Sequence, residues 1–411
     1  MWRMQLPALP PTSEDLISLE RGTDGQAPTV SIPKRWPLIA QPDNRDQTTL
    51  FDARLVNAIA EKSVDGFQVE KRAGLSTTVA YALAGAGEGM FLWTTTALNT
   101  ILIMISGGTV YGVAPFLGRA NLYTIGTGIQ GGYFYFCPVE AATPYLVFGA
   151  GNLTGGTPTY YITPSSGILQ ITDSNFPANT VPGIVFLDGT TYVMDPSGGI
   201  WGSANLNDPT VWSALNVIYA NSEPDFAVFL AKQLVYVIAL KAFTVQFFYD
   251  AGNTTGSPLA PVPGALLNIG CLSAGSVQVI DDLMFWVSSS KTATPRVVMM
   301  RNLQPTIIST PAVERTIAGD IQGATYYSWT FRYGGHRLYG FTSYAANITW
   351  VFDIDEQLWY QWTDYLGNYY PIVAFAVNAN GQRIAQPLSG GNVYFADADY
   401  IYPMIQETYS P

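Results

Sequence analysis

One phrase recurs along the chain, and a chain that repeats it has few ways to fold. Residues 186–203 read "FLDGTTYVMDPSGGIWGS". An apolar run from Thr191 to Met194 meets a turn cluster, Asp195-Pro196-Ser197-Gly198-Gly199, and a second run starts at Ile200-Trp201. Proline fixes φ and glycine allows positive φ where the chain must reverse, so the stretch predicts a β-hairpin. Similar phrases occur at "NTILIMISGGTVYGV", "TPYLVFGAGNLTGGTPTYYIT" and "KQLVYVIALKAFTVQFFYD". Three more follow: "DDLMFWVSSSKTATPRVVMMR", "HRLYGFTSYAANITWVFDID" and "GGNVYFADADYIYPMI". With Leu102, Leu146, Tyr192, Leu234, Leu283, Leu338 and Val393 taken as equivalent, successive spacings are about 44, 46, 42, 49, 55 and 55 residues.

That period is the one at which four-stranded propeller blades repeat. A small sheet with two apolar faces cannot stand alone in water, and stacking such sheets around an axis buries both faces. A sandwich would not need near-constant spacing. A doubly wound sheet or TIM barrel would need many amphipathic helices, and only 50–62 and 310–319 offer short helical candidates. The expectation is an all-β fold: a six- or seven-bladed β-propeller over 51–411 with an extended N-terminal arm over 1–50. The arm is rich in proline and polar residues without a sustained period, and is expected to contact neighbouring subunits or an adaptor. The last phrase has no evident strand to finish its blade; an early strand from 66–85 is the candidate for closing the ring.

Composition narrows the function. Of 411 residues, 48% are apolar, so a large core is available, while only 12% are charged. A surface so poor in charge fits one largely covered by copies of itself, although a surface merely rich in Ser, Thr, Asn and Gln would read the same. The formal net charge is −11, and between Arg72 and Lys232 the one cation is Arg119. Binding nucleic acid by neutralising phosphates needs the opposite pattern. The apolar stretch 226–249 is interrupted by Lys232, Gln233, Lys241 and Gln246 and reads as strands, not a membrane span. No signal peptide is visible at the N-terminus.

Chemistry is sparse. His336 is the single histidine, and it reads as a packing or solvated residue. The two cysteines, Cys137 and Cys271, read as buried free thiols. The pairs Asp353/Asp355 and Asp281/Asp282 could serve as acid and base or bind calcium, but aspartate is ordinary where strands turn. The Gly-rich "GAGEG" and "GAGNLTGG" lack the Lys and Ser/Thr of a phosphate loop. No catalytic residue, metal ligand or cofactor site emerges, and the expectation is a non-enzyme. A carbohydrate-binding or glycan-cleaving propeller is the alternative, motivated by aromatic content and scattered carboxylates.

The stretch "LFDARLVNAIAEKSVDGFQVEKRAGL" resembles the start of the tail hub or nozzle proteins of short-tailed bacteriophages, the packaged-DNA stabilisation family. Asp52, Ala53, Leu55, Val56, Asn57 and Glu61 match its first motif. Lys71, Arg72, Gly74 and Leu75 match the second, with Ala73 where that pattern has proline. Looser matches extend over most of 38–400; the long arm and the short C-terminal end depart from the pattern. The resemblance implies a structural virion protein that assembles in the host cytoplasm. It implies a propeller ring, usually six copies, below the portal and adaptor, extending the DNA channel and helping retain the genome. It further implies docking sites for fibres or spikes and for a plug or needle. Deleting residues 1–37 is expected to leave the far-ultraviolet circular dichroism unchanged while weakening assembly, as measured by light scattering.

Overall fold

The computed structural model describes residues 55–397, apart from 64–65, 96–99, 115–118, 152–157 and 379. The whole of the expected arm, 1–50, together with Asp52 and Ala53 of the first motif, lies outside the described residues. Within them the chain builds six four-stranded sheets, one five-stranded sheet and a two-stranded hairpin. The larger sheets are the seven blades, and the strands in each follow chain order except in the last. Second strands begin at Thr100, Tyr145, Thr190, Tyr236, Leu283, His336 and Arg383, which accounts for the repeat in the sequence.

Five of the seven residues aligned as equivalent fall on those second strands. Leu234 instead sits in the preceding turn at φ 54°, and Val393 is on a third strand, Asn392–Asp397. The last blade misleads because its second strand, Arg383–Pro387, is less apolar than its third. The longer step before Leu338 reflects an inserted helix, α1 (Pro311–Ile317), with Pro311 in its first turn. Ala312, Val313 and Ile317 of α1 are buried between the fifth and sixth blades. Of the two helical candidates, 310–319 thus holds a helix. The described part of the other, 55–62, does not: Ala58–Ser63 is strand β1, paired antiparallel with β2 (Gly66–Lys71). Cross-strand pairing overrides the apolar spacing that resembled a helix.

Each blade meets a neighbour on both faces, and the strand period of two sorts its residues between them. In the first blade Ile103 and Ile105 pack on Leu146 and Phe148 of the second. Leu102 and Met104 face the other way, onto Val373, Ile384 and Val393 of the seventh. Likewise Val237 and Ala239 join the third blade to the fourth, while Ile238 and Leu240 join the fourth to the fifth. Similar layers join the second blade to the third, the fifth to the sixth and the sixth to the seventh. The apolar cores therefore run around the whole ring. Tight spacing between layers is enforced at Gly183, at φ 95°, where a Cβ would lie 2.0 Å from the Leu230 carbonyl oxygen.

The ring closes through β3 (Gly74–Ala82), inside the window anticipated for it. It pairs antiparallel with Asn392–Asp397 as the outermost strand of the seventh blade. One blade thus joins residues from both ends of the described chain. The apolar 226–249 stretch forms three strands of the fourth blade, and no helix among the described residues is long and apolar enough to cross a membrane.

Buried charge in the fourth blade is paired. Lys241 Nζ lies 2.8 Å from Asp225 Oδ1, both side chains 2% exposed. It also donates to the carbonyls of Ala220 and Glu223 at 2.8 and 2.6 Å. Asp225 accepts from the Phe243 amide at 2.8 Å. Lys241→Ala leaves Asp225 buried without its cation and is expected to cost about 3–5 kcal/mol, whereas replacing both by apolar residues costs much less. Urea denaturation of the single and double variants measures the difference.

Candidate functional site

Of the matched motif residues that are described, Leu55, Val56, Asn57 and Arg72 meet in one place, a clasp at the outer edge of the sixth blade. Leu55–Asn57 runs parallel to that blade's last strand, Leu358–Trp362, with a bridge between Val56 and Gln361. The Gln361 amide donates to Leu55 O at 3.0 Å, and the Asn57 amide to Gln361 O at 2.8 Å. Asn57 then turns the chain into β1 at φ 55°, a left-handed conformation that asparagine tolerates better than most residues. After β2 the chain returns, and the Arg72 amide donates to Asn57 O at 3.3 Å.

The two side chains lock this junction. Asn57 Oδ1 accepts from Arg72 Nε at 2.8 Å and from the Thr363 amide at 2.9 Å. Asn57 Nδ2 donates to Thr363 Oγ1 at 2.7 Å. Arg72 Nη1 donates to Ala73 O at 2.9 Å and Nη2 to Thr363 O at 3.2 Å. Arg72 is 5% exposed, and its guanidinium carbon lies 4.4 Å from the Tyr370 ring centroid and 5.5 Å from that of Trp362. Ring faces and carbonyls thus solvate a buried cation. Leu75 and Ala73 are buried in the core between the sixth and seventh blades, and Gly74 opens β3. Glu61 and Lys71 are exposed on the hairpin.

A second set of groups ties the same hairpin down from the blade side. His336 Nδ1 lies 2.6 Å from Asp353 Oδ2; His336 is 8% exposed and Asp353 fully buried. It is a packing histidine at the head of a strand, not a solvated one. Asp353 Oδ1 accepts from the amides of Asp355 and Glu356 at 3.0 and 3.1 Å. The Tyr360 hydroxyl accepts from the Ala60 amide at 3.1 Å, and Asp353 Oδ2 lies 3.4 Å away. Burial, and then the Asp353 charge, raises the Tyr360 phenol above its usual range, so it stays protonated.

The remaining carboxylates weighed as acid, base or calcium ligands are engaged in ion pairs. Asp355 receives Arg337 Nη2 at 2.6 Å and its amide at 2.8 Å, and Arg337 holds its carboxyl below the ordinary value. Asp281 pairs with Arg332, and with Arg337 at 3.2 Å. Asp282 lies 3.2 Å from Arg301. Among the described residues, no group of three or more His, Cys, Asp or Glu is placed to hold a metal ion. Glu88 of "GAGEG" accepts from the Gly108 amide at 2.9 Å, which makes that segment a turn fastening. Cys137 and Cys271 are free and buried, and burial pushes both thiols up to about 12.

Sequence reasoning found Asn57 and Arg72 and weighed Asp353 only as an acid, base or calcium ligand, but missed Thr363, Trp362, Tyr370 and Tyr360, which meet the clasp and the hairpin from some 300 residues away. Nothing in the local pattern marks those partners; only ring closure brings them together. What the arrangement does chemically is hold the hairpin, β3 and the last two blades in one unit.

Seven blades closed by an early strand and fastened by a buried Arg–Asn clasp define a seven-bladed β-propeller. Residues 151–382, over half of the chain, match the family model for bacteriophage P22 Gp10, β-propeller. The chain belongs to this family of phage packaged-DNA stabilisation proteins. No curated protein matches the sequence. Among solved structures, the N-terminal domain of Nup159 is similar at 9% identity and TM-score 0.43, covering 84% of this chain and 99% of that one. The extracellular domain of the hybrid two-component system BT4673 from B. thetaiotaomicron has 10% identity and TM-score 0.45, covering 79% and 39%. BamB from Moraxella catarrhalis has 12% identity and TM-score 0.42, covering 79% and 100%.

Asn57→Ala removes the acceptor for Arg72 and the Thr363 amide and puts alanine at positive φ. The expected loss is about 2–4 kcal/mol. Arg72→Lys, which keeps the charge but not the fork, is expected to fall between wild type and Arg72→Ala in thermal melts.

Proposed function

We propose that copies of this chain assemble as a ring, a hexamer, forming the nozzle or hub of a short-tailed phage. The ring sits below the portal–adaptor complex, extends the DNA channel, retains the packaged genome, and carries fibres or spikes and a plug or needle. Assembly takes place in the host cytoplasm and the product stays in the virion. Family membership supports the phage role.

The observation that carries the channel role is the charge pattern on a rigid closed ring. Residues 73–231 hold Arg119 as their sole cation against eight Asp and Glu. Such a wall repels phosphates, so DNA can be held in the lumen by pressure and plug and still leave without being gripped. Low charge elsewhere suits faces that are covered by neighbouring copies. The cations of the fifth and sixth blades are engaged in part: Arg301, Arg332 and Arg337 pair with Asp281, Asp282 and Asp355. The protein acts by shape and rigidity, with no chemical step.

Electron microscopy of purified particles is expected to show a six-fold ring of this chain under the adaptor, and mass measurement a hexamer on adding portal–adaptor complex. A chain that stays monomeric at every concentration and never joins that complex overturns the reading.

A further inference from the structure

On the outer rim, between the third and fourth blades, lies a cleft of about 600 Å³. Val217, Tyr219, Pro261, Val262, Pro263 and Leu266 line it. Tyr219 and Leu266 are 47% and 36% exposed, a costly presentation of apolar surface for a site with no occupant. Its far wall, Leu259–Leu267, is the outermost strand of the fourth blade, and a register shift between Gln246 and Phe248 interrupts its pairing. Pro261 and Pro263 offer no N–H, so the edge is blunted against strand addition. An occupant must therefore bind through its side chains. The near wall is preformed: the Lys241–Asp225 pair fastens the 220–226 loop that carries Asn221 and Ser222 into the cleft.

We propose that residues 29–42 of one copy, "TVSIPKRWPLIAQP", dock in this cleft on the next copy, with Trp36 entering between Tyr219 and Pro263. The proposal rests on the ring reading above and names the contact that joins its subunits. Three observations favour this occupant.

The first is placement. The described chain begins at Leu55 on the outer edge of the sixth blade. In a seven-bladed ring that edge lies two and a half blades round the axis from the junction of the third and fourth, on a different side of the subunit. A head-to-tail ring sets one side of each subunit against a different side of the next, and the twelve residues 43–54 span up to about 40 Å when extended.

The second is chemistry. The segment carries Val30, Ile32, Trp36, Leu38 and Ile39, and its charges are Lys34 and Arg35 with no acid. The half-ring that receives it is acidic, and Glu223, next to Ser222 of the cleft, has a side chain 38% exposed with Lys291 only 3.8 Å away. The third is backbone. Pro33, Pro37 and Pro42 disfavour helix for themselves and for the residues before them. Proline-spaced apolar segments suit clefts walled by aromatic and proline side chains.

The test uses full-length chains. Trp36→Cys and Tyr219→Cys variants are mixed, assembled with portal–adaptor complex and oxidised; the native thiols are buried and do not interfere. Cross-linked dimers from the mixture, absent from either variant alone, are the expected result. Rings that form without cross-links overturn the docking while leaving the ring reading intact. A cross-link confined to single chains of the Trp36→Cys/Tyr219→Cys double variant also overturns it, because the arm then folds back on its own subunit. Failure of the wild-type chain to form rings overturns both readings. Trp36→Ala in the full chain is expected to raise the concentration for half-assembly at least tenfold with unchanged circular dichroism; an unchanged assembly curve counts against the proposal.

Discussion

Closure is the constraint on which this structure depends. A propeller blade is apolar on both faces, so a row of blades is stable only when its two ends meet. Here β3 supplies the outer strand of the seventh blade, and the first blade packs directly on the seventh. Hydrogen bonding across that seam joins residues more than 300 positions apart, at the loop-closure cost that makes such topologies slow to form. The Asn57–Arg72–Thr363 junction and the Tyr360–Ala60 contacts sit beside the seam. They stabilise the β1–β2 hairpin against the sixth blade and so fix the point from which β3 starts.

Closure explains why polar groups of unusual type are buried where they are. An arginine at 5% exposure would be a liability in an ordinary core. At this junction the carbonyls of Ala73 and Thr363 meet the side-chain oxygen of Asn57, and a guanidinium with several donors satisfies them together. The fully buried Asp353 works in the complementary sense, accepting from amides of a turn and from a histidine at the same time. Both groups serve the joint, and neither is presented to solvent as a catalytic group would be.

The charge distribution belongs to the same design. Cations gather in the later blades, where several are spent on neighbouring aspartates, while the first three blades carry almost none. The ring proposed here, with DNA passing through it, needs few exposed charges and fewer exposed cations. Stability comes instead from apolar layers between blades, which need no counter-ion and are not screened by salt as charge pairs are.

The sequence by itself determined the architecture, because blade periodicity is a local property. Turn residues, apolar runs and their spacing recur within each 45-residue stretch, and these declared an all-β propeller closed by an early strand. It also marked Asn57 and Arg72. Local pattern could not decide the blade number, the strand identity of 58–63, or the register of Leu234 and Val393, because each depends on which strand pairs with which. Nor could it supply Thr363, Tyr360, Trp362 and Tyr370 as partners of the clasp. Those assignments were made by ring closure alone, which brings the two ends of a long chain into hydrogen-bonding distance and has no counterpart in any short stretch of sequence.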